Sequence, residues 1–390
     1  MLLVLDPSLI NEINNKKVQI VFELIAQSRC QGNHIVISDR NTLNCLKKCD
    51  FLSSVAQMVY TQLYSDLPDF SVYLENLKNS ILIVLDDVLE FQANSKCELT
   101  NGTITLEPRD GFQVIKASYR YFSYGSFTPT ILLTENRIDG EIYHQITKLY
   151  NKHKKIRFDI KSEIRTGGGN STKDELRAIQ KTLQDIETEN KLCLCIIDSD
   201  KKSPNDSNLG DTAKAVQEVY EQLKSNILVK WICLEVKELE NLFPIAWYEQ
   251  VFTQDKNKNK SLSLLKQLEK HEARKYISMK KGIYLYDILQ YSVQDSSLHQ
   301  YWIEFIQSLE IETVISCLEQ LQCLRGKQAC TCVIMPGFGT DILIKMIDNC
   351  VKERSLTKCN DIEQDELLKL EWERIRQVVT DWCCALPPIL

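Results

Sequence analysis

Histidine is scarce in this chain, with five in 390 residues, and no two cysteines stand at the CxxC spacing of a zinc ribbon. Cys45 with Cys49, Cys330 with Cys332 and Cys383 with Cys384 are close pairs, but small buried hydrophobes describe them better than metal ligands do. The fifteen cysteines are odd in number and scattered through apolar segments, which suits a reducing, cytoplasmic setting and not a disulfide framework. No apolar run approaches the roughly 18 residues of a membrane span, so no membrane partner is expected. The opening "MLLVLDPSLI" has no basic leader and too short an apolar region, so no secretory signal is expected. The phosphate-loop pattern GxxxxGK[ST] is missing, as are internal repeats and low-complexity tracts. A basic excess is missing too. The net charge of -6 does not advertise a nucleic-acid protein, although a carboxylate-rich active site would pull the total in that direction.

What remains is an ordinary globular composition, 44% hydrophobic and 26% charged, on a chain long enough for two or three domains. Residues 1–125 read as an α/β domain: "LLVLD", "HIVIS" and "SILIVLD" as short strands, and Asn101-Gly102 as a hairpin turn between alternating segments. Residues 128–290 alternate strand and helix in the manner of a parallel sheet, with "TILLTE", "KIRFDIKSE", "KLCLCIID" and "LVKWICLE" as the strands. From about 250 the pattern turns helical, in "KSLSLLKQLEKHEARKY", "SLHQYWIEFIQSLE", "TVISCLEQLQCL" and "DELLKLEWERIRQVVTDW", so that 291–390 reads as a helical C-terminal region.

The chemistry gathers in the middle block. In "LCLCIIDSDKKSP" an apolar strand ends in Asp198 and Asp200, and ligands in open α/β sheets bind outside the carboxyl ends of strands. Upstream, "ILLTENRIDGEIY" delivers Glu135 at a strand end and Asp139 four residues later. "TGGGNSTKDEL" supplies Gly167, Gly168 and Gly169, which either position a phosphate or shape the site, followed by Thr172 and Glu175 at capping-box spacing. "WICLEVKELENLFP" ends another strand in Glu235, Glu238 and Glu240. Each has a plainer reading, as a surface carboxylate, a solvated turn or an acidic helix start. Four consecutive strands nevertheless bring carboxylates or glycines to one edge. Clustered carboxylates need a positive partner, and hard oxygen donors select Mg²⁺ or Mn²⁺.

An acidic residue after a first strand, an aspartate four positions on, a DxD ending a later strand and a closing "ELEN" resemble the Toprim domain, a Rossmann-like parallel sheet. The pattern looks most like the Toprim nucleases of the overcoming-lysogenization-defect family and related stand-alone effectors of bacterial antiphage defence. The resemblance spans roughly residues 128–290. It implies a metal-dependent nuclease in which Glu135, Asp139, Asp198, Asp200 and Glu240 hold Mg²⁺ or Mn²⁺, with Glu238 the weaker candidate for the last position. A Lys-x-Gly element in "YISMKKGIYLYDIL" implies Lys280, or alternatively Lys281, as the basic catalytic residue. DNA or RNA is the implied substrate. The larger family members carry an ATPase on the same polypeptide, so nucleotide-driven control here implies a protein partner supplied in trans. The apolar tail "VVTDWCCALPPIL" either completes the protein's own core or docks on such a partner. The competing expectation is a non-catalytic Toprim module used for assembly or regulation.

Overall fold

The computed structural model describes residues 1–100, 102–181, 190–223, 228–294, 296–309, 332–351 and 356–389. The chain is mixed α/β and divides into two compact units: Met1–Ile196 with Ala215–Ile232 and Arg374–Leu390, and Ile197–Lys214 with Cys233–Glu373. This division differs from the sequence blocks 1–125, 128–290 and 291–390. The first block and about half of the second share one unit, while the segments following two of the middle strands belong with the helical region.

The first unit holds two sheets. Strands β1 (Leu2–Leu5), β2 (Ile35–Ser38), β3 (Asn79–Val84), β4 (Leu89–Thr100) and β5 (Thr103–Ser118) form one sheet in the order β2-β1-β3-β5-β4. β1 runs parallel to β2 and β3, and β3 parallel to β5, while β4 is antiparallel to β5. All four residues of β1 are fully buried, as expected of a continuous apolar run covered on both faces. Gly102, at φ 80, turns the β4–β5 hairpin so that Thr100 opposes Thr103, as the Asn-Gly pair leads one to expect. Helices Lys16–Cys30 and Ser54–Ser65 meet where Tyr60 sets its hydroxyl 2.8 Å from the Phe22 carbonyl and its ring edge-on to Phe22.

The second sheet has the order β10-β9-β6-β8, from β6 (Thr130–Thr134), β8 (Ser162–Thr166), β9 (Cys193–Ile197) and β10 (Val229–Cys233). β6 is parallel to both β8 and β9, so the winding reverses at β6. The stretch "KIRFDIKSE" does not form one strand. Lys155 takes a left-handed turn at φ 57, and Ile156 donates back to the Asn151 carbonyl. Two short strands follow, β7 (Asp159–Ile160) and then β8. β7 pairs with β13 (Cys384–Ala385) from the far end of the chain. The apolar tail is therefore inside this unit: Trp382, Cys383 and Cys384 are fully buried. Thr130 donates its hydroxyl to the Trp382 carbonyl, and Ile389 N donates to Cys30 O. Asp381, also buried, accepts from Lys78 N, Asn79 Nδ2 and Gln377 Nε2, which fixes the entry into β3.

The second unit is largely helical, with β11 (Gly282–Tyr284) antiparallel to β12 (Val333–Pro336). Its core is aromatic. Tyr248 and Phe252 pack on Phe338 with ring centroids 4.7 Å and 5.0 Å away, and Trp372 donates its indole N–H to Leu242 O. "KSLSLLKQLEKHEARKY" is helical only over Asn259–Gln267, after which the His271 ring nitrogen accepts from Ala273 N and opens a short 3-10 turn. "SLHQYWIEFIQSLE" and "DELLKLEWERIRQVVTDW" overlap helices Ser296–Ser308 and Lys369–Cys383, while "TVISCLEQLQCL" lies outside the described residues. Among the described residues all cysteines are free, and no helix is long and apolar enough to cross a membrane.

Candidate functional site

In the first unit the carboxyl ends of β6, β8 and β9 lie level, since Thr134 pairs with both Thr166 and Ile196. The strand order reverses at this edge, which is where open α/β sheets place ligands. Glu135 follows β6 directly, and the glycine turn after β8 grips its backbone. Gly167 N donates to Thr134 O (3.3 Å), Gly168 N to Glu135 O (3.1 Å) and the Thr166 hydroxyl to the same Glu135 carbonyl (2.7 Å). The amides of Gly167 and Gly168 are thus committed to the chain itself, which favours the shaping role over the phosphate cradle. Gly167 has no room for a side chain, because a Cβ there would fall 2.0 Å from Thr172 Cα. Gly168 and Gly169 have φ of 68° and 63°. Thr172 does not form the expected capping box with Glu175. Its hydroxyl donates to Gly169 O, and Glu175 takes the Arg165 guanidinium instead.

Asp139 sits in the first turn of helix Arg137–His153. Its Oδ2 accepts from Asn136 N at 3.0 Å, closing a reciprocal cap at a helix start. The next residue, Gly140, lets the helix approach β8, since a Cβ there would lie 2.6 Å from Ile164 Cγ2.

The remaining expected residues lie in the second unit. After β9 the chain alternates. Asp198 is half-buried with Oδ1 accepting from Leu239 N at 3.1 Å, Ser199 is buried with its hydroxyl on Val236 O, and Asp200 is exposed. Asp200 has φ 55, a left-handed conformation uncommon outside glycine, and its amide donates to Lys237 O. Gly210 makes room for it, because a Cβ there would sit 2.3 Å from Asp200 Oδ2. The "ELEN" segment locks onto residues 274–280. Asn241 receives Glu238 N and donates to Arg274 O and Ile277 O, while Glu238 Oε1 accepts from Met279 N at 2.8 Å.

These clamps bring Glu238, Glu240 and Lys280 together. Lys280 Nζ is 2.8 Å from Glu240 Oε1 and 3.9 Å from Glu238 Oε2. The nearer contact is a close ion pair, which makes Lys280 the cation that the Glu240 carboxylate faces. Glu240 has no solvent exposure. Burial, then the Glu238 charge, pushes its pKa up to about 7 against the pull of Lys280. Burial opposes the charge on Lys280, but Glu240 and Glu238 outweigh it, with Asp198 adding a smaller contribution, and hold its pKa above the usual lysine range. Lys281 is exposed and makes no such contact, and Glu235 pairs with Lys201 away from this group.

The sequence reading did not single out Lys237 and Asn241. The spacing of Glu238 and Asn241, three apart at a helix start, was the available signal for Asn241. Nothing in the sequence distinguished Lys237, which burial holds below the usual lysine pKa against the pull of Asp200 and Glu238. Among the described residues no three His, Cys, Asp or Glu side chains stand in an arrangement that would hold a metal ion. The arrangement at Glu240 can stabilise added positive charge, exchange a proton near neutrality, and present an ammonium to an anion. Comparison with known protein families, curated proteins and solved structures finds no match.

Proposed function

We propose that the chain is a divalent-metal-dependent nuclease of the Toprim type resembling the overcoming-lysogenization-defect family. The observation that carries the reading is Glu240, a fully buried carboxylate that lies beside a second carboxylate and Lys280. Lys280 offsets part of the cost of burying this carboxylate beside Glu238, and hard carboxylate oxygens would also suit Mg²⁺ or Mn²⁺. A bound ion would supply Lewis acidity at phosphorus and an activated water. The resemblance implies Asp198, Asp200 and Glu240, together with Glu135 and Asp139, as the residues that would hold it, although among the described residues no three such side chains stand in a metal-holding arrangement. In this reading Lys280 neutralises charge on the phosphate in the transition state, and Asn241 with Glu238 positions the backbone from which it extends. Control by a protein partner, such as an ATPase in trans, and a setting in antiphage defence belong to the same proposal.

A second reading, a non-catalytic assembly module, draws on the structural work done by the same carboxylates: Asp139 caps a helix, Asp198 holds Leu239 N, and Glu238 holds Met279 N. Purified protein incubated with plasmid, single-stranded DNA and transfer RNA decides between them. Cleavage that requires Mg²⁺ or Mn²⁺, stops with EDTA and is lost in Glu240→Gln supports the nuclease. Cleavage indifferent to both sinks it.

A further inference from the structure

The second unit contains a cavity of about 680 Å³ whose wall runs from Asp200 and Glu238 past Lys202 and Lys281 to Tyr284 and Tyr286. A second cavity, of about 860 Å³, shares Lys280, Lys281, Tyr284 and Tyr286 with it and continues past Lys258 and Gly337. The two form an extended trough and not a closed pocket for one small molecule. The carboxylate end and Lys280 are the part the nuclease reading uses; Lys202, Lys281 and the tyrosines have no role in it.

The local fold presents those tyrosines deliberately. Gly282, at φ 86, lets β11 and β12 approach so closely that a Cβ there would lie 2.1 Å from Met335 O. The β11–β12 register then shifts between Ile283 and Tyr284, and such an irregularity re-aims the next side chain. Tyr284 and Tyr286 end up half-buried, and Lys281 exposed, on the shared wall. Trp302, by contrast, is buried, with its indole N–H on Lys202 O, and anchors the lysine loop instead of offering a face.

Aromatic rings beside lysines along a trough are the pattern that binds single strands, because an unpaired base offers its face for stacking while lysines follow the phosphates. A duplex keeps its base faces stacked on one another and offers only edges and backbone. We propose that this trough receives single-stranded nucleic acid, with Tyr284 and Tyr286 as stacking platforms and Lys202 and Lys281 on the phosphates. The proposal rests on the nuclease reading in placing the strand beside Asp200 and Glu238.

The test separates the two. Fluorescence anisotropy in EDTA, with labelled oligo(dT), oligo(U) and a blunt duplex of equal length, reads binding without cleavage, and the two single strands distinguish DNA from RNA. Single strands should bind more tightly than the duplex. Tyr284→Ala and Tyr286→Ala should each weaken single-strand binding roughly five- to a hundredfold, with the Phe variants near wild type. Lys281→Glu should weaken binding and lower the salt slope by about one. Where an Ala variant melts early, Tyr→Leu keeps the apolar volume without the ring and takes its place. Equal binding of the duplex, or folded Tyr variants with unchanged affinity, overturns the proposal. Tyrosine-dependent strand binding without metal-stimulated cleavage would leave the trough standing and remove the nuclease; cleavage with indifferent tyrosines would do the reverse.

Discussion

Lys280 places its ammonium 2.8 Å from Oε1 of Glu240, a carboxylate with no solvent exposure, while Glu238 Oε1 accepts from the backbone N–H of Lys280 itself. One glutamate therefore positions the lysine whose charge the other needs.

Removing that charge should have a pH signature. Glu240 has a folded pKa raised to about 7, so its contribution to stability is fully present below the usual 4.5 and is lost as pH rises through 7. Lys280→Met removes the opposing cation and raises Glu240 further. The variant should lose about 3 kcal/mol near pH 8 and clearly less near pH 5, where the carboxyl takes a proton. Adding Glu240→Gln should restore most of the loss. Denaturant melts across pH check this, and a pH-independent deficit would mean that the lysine contributes packing, not charge. In the nuclease reading the same variant lowers turnover more than substrate affinity.

Asp198 and Asp200 should separate in stability although the nuclease reading needs both. Asp198 is half-buried and Asp200 exposed, so neither alanine substitution removes core volume. Asp198 Oδ1, however, accepts from Leu239 N, so Asp198→Ala should cost about 1 kcal/mol, and Asp198→Asn, which keeps an acceptor, less. Asp200→Gly should not lower the melting temperature, because glycine adopts the left-handed backbone at φ 55 without strain. Metal-stimulated cleavage by either alanine variant at wild-type rate would remove these residues from the ligand set.

The glycine turn should be position-sensitive. Gly167→Ala drives a Cβ into the Thr172 backbone, where nothing flexible can yield, so it should disrupt the loop that holds the Glu135 carbonyl and cost several-fold more stability than Gly169→Ala. Gly169 opens onto free space and suffers only its positive φ, a cost of about 1–2 kcal/mol. Equal melting temperatures for the two variants would contradict the close approach.

Asp381 should set an acid-side dependence of its own. Burial raises its pKa from 3.8 to about 6, against the hydrogen bonds from Asn79, Gln377 and Lys78. The folded state therefore binds this proton more tightly than the unfolded chain does. Stability from this group is present below pH 3.8 and falls by about 3 kcal/mol as pH rises through 6. Asp381→Asn should flatten that slope in urea melts between pH 4 and 7, and an unchanged slope would assign it elsewhere.

The strands were legible because their signal is local: "LLVLD", "HIVIS", "SILIVLD", "TILLTE" and "KLCLCIID" are apolar runs that fold as the buried strands they describe. Asn-Gly fixed the hairpin for the same reason. "KIRFDIKSE" misled because its break depends on a left-handed Lys155 and on pairing with Cys384–Ala385, more than two hundred residues away. At the candidate site, acid positions at strand ends were readable, but the jobs of the individual oxygens were not. The Asp139 cap is local, three residues from Asn136, but that Gly167 serves Thr134 and that Asn241 clamps residues 274–280 follow from tertiary hydrogen bonds.

The first unit is assembled from three separate stretches of chain, and the last of them, Arg374–Leu390, brings β13 and the buried Trp382, Cys383 and Cys384. During synthesis the two sheets can form their own ladders, but the unit lacks a strand and part of its core until that stretch leaves the ribosome. Nascent chains arrested before Arg374 should remain sensitive to protease in the region that Thr130 and Lys161 later anchor to the tail, and gain resistance once it is added. The carboxyl edge of β6 thus belongs to a unit whose core is complete only once Arg374–Leu390 has been made and packed.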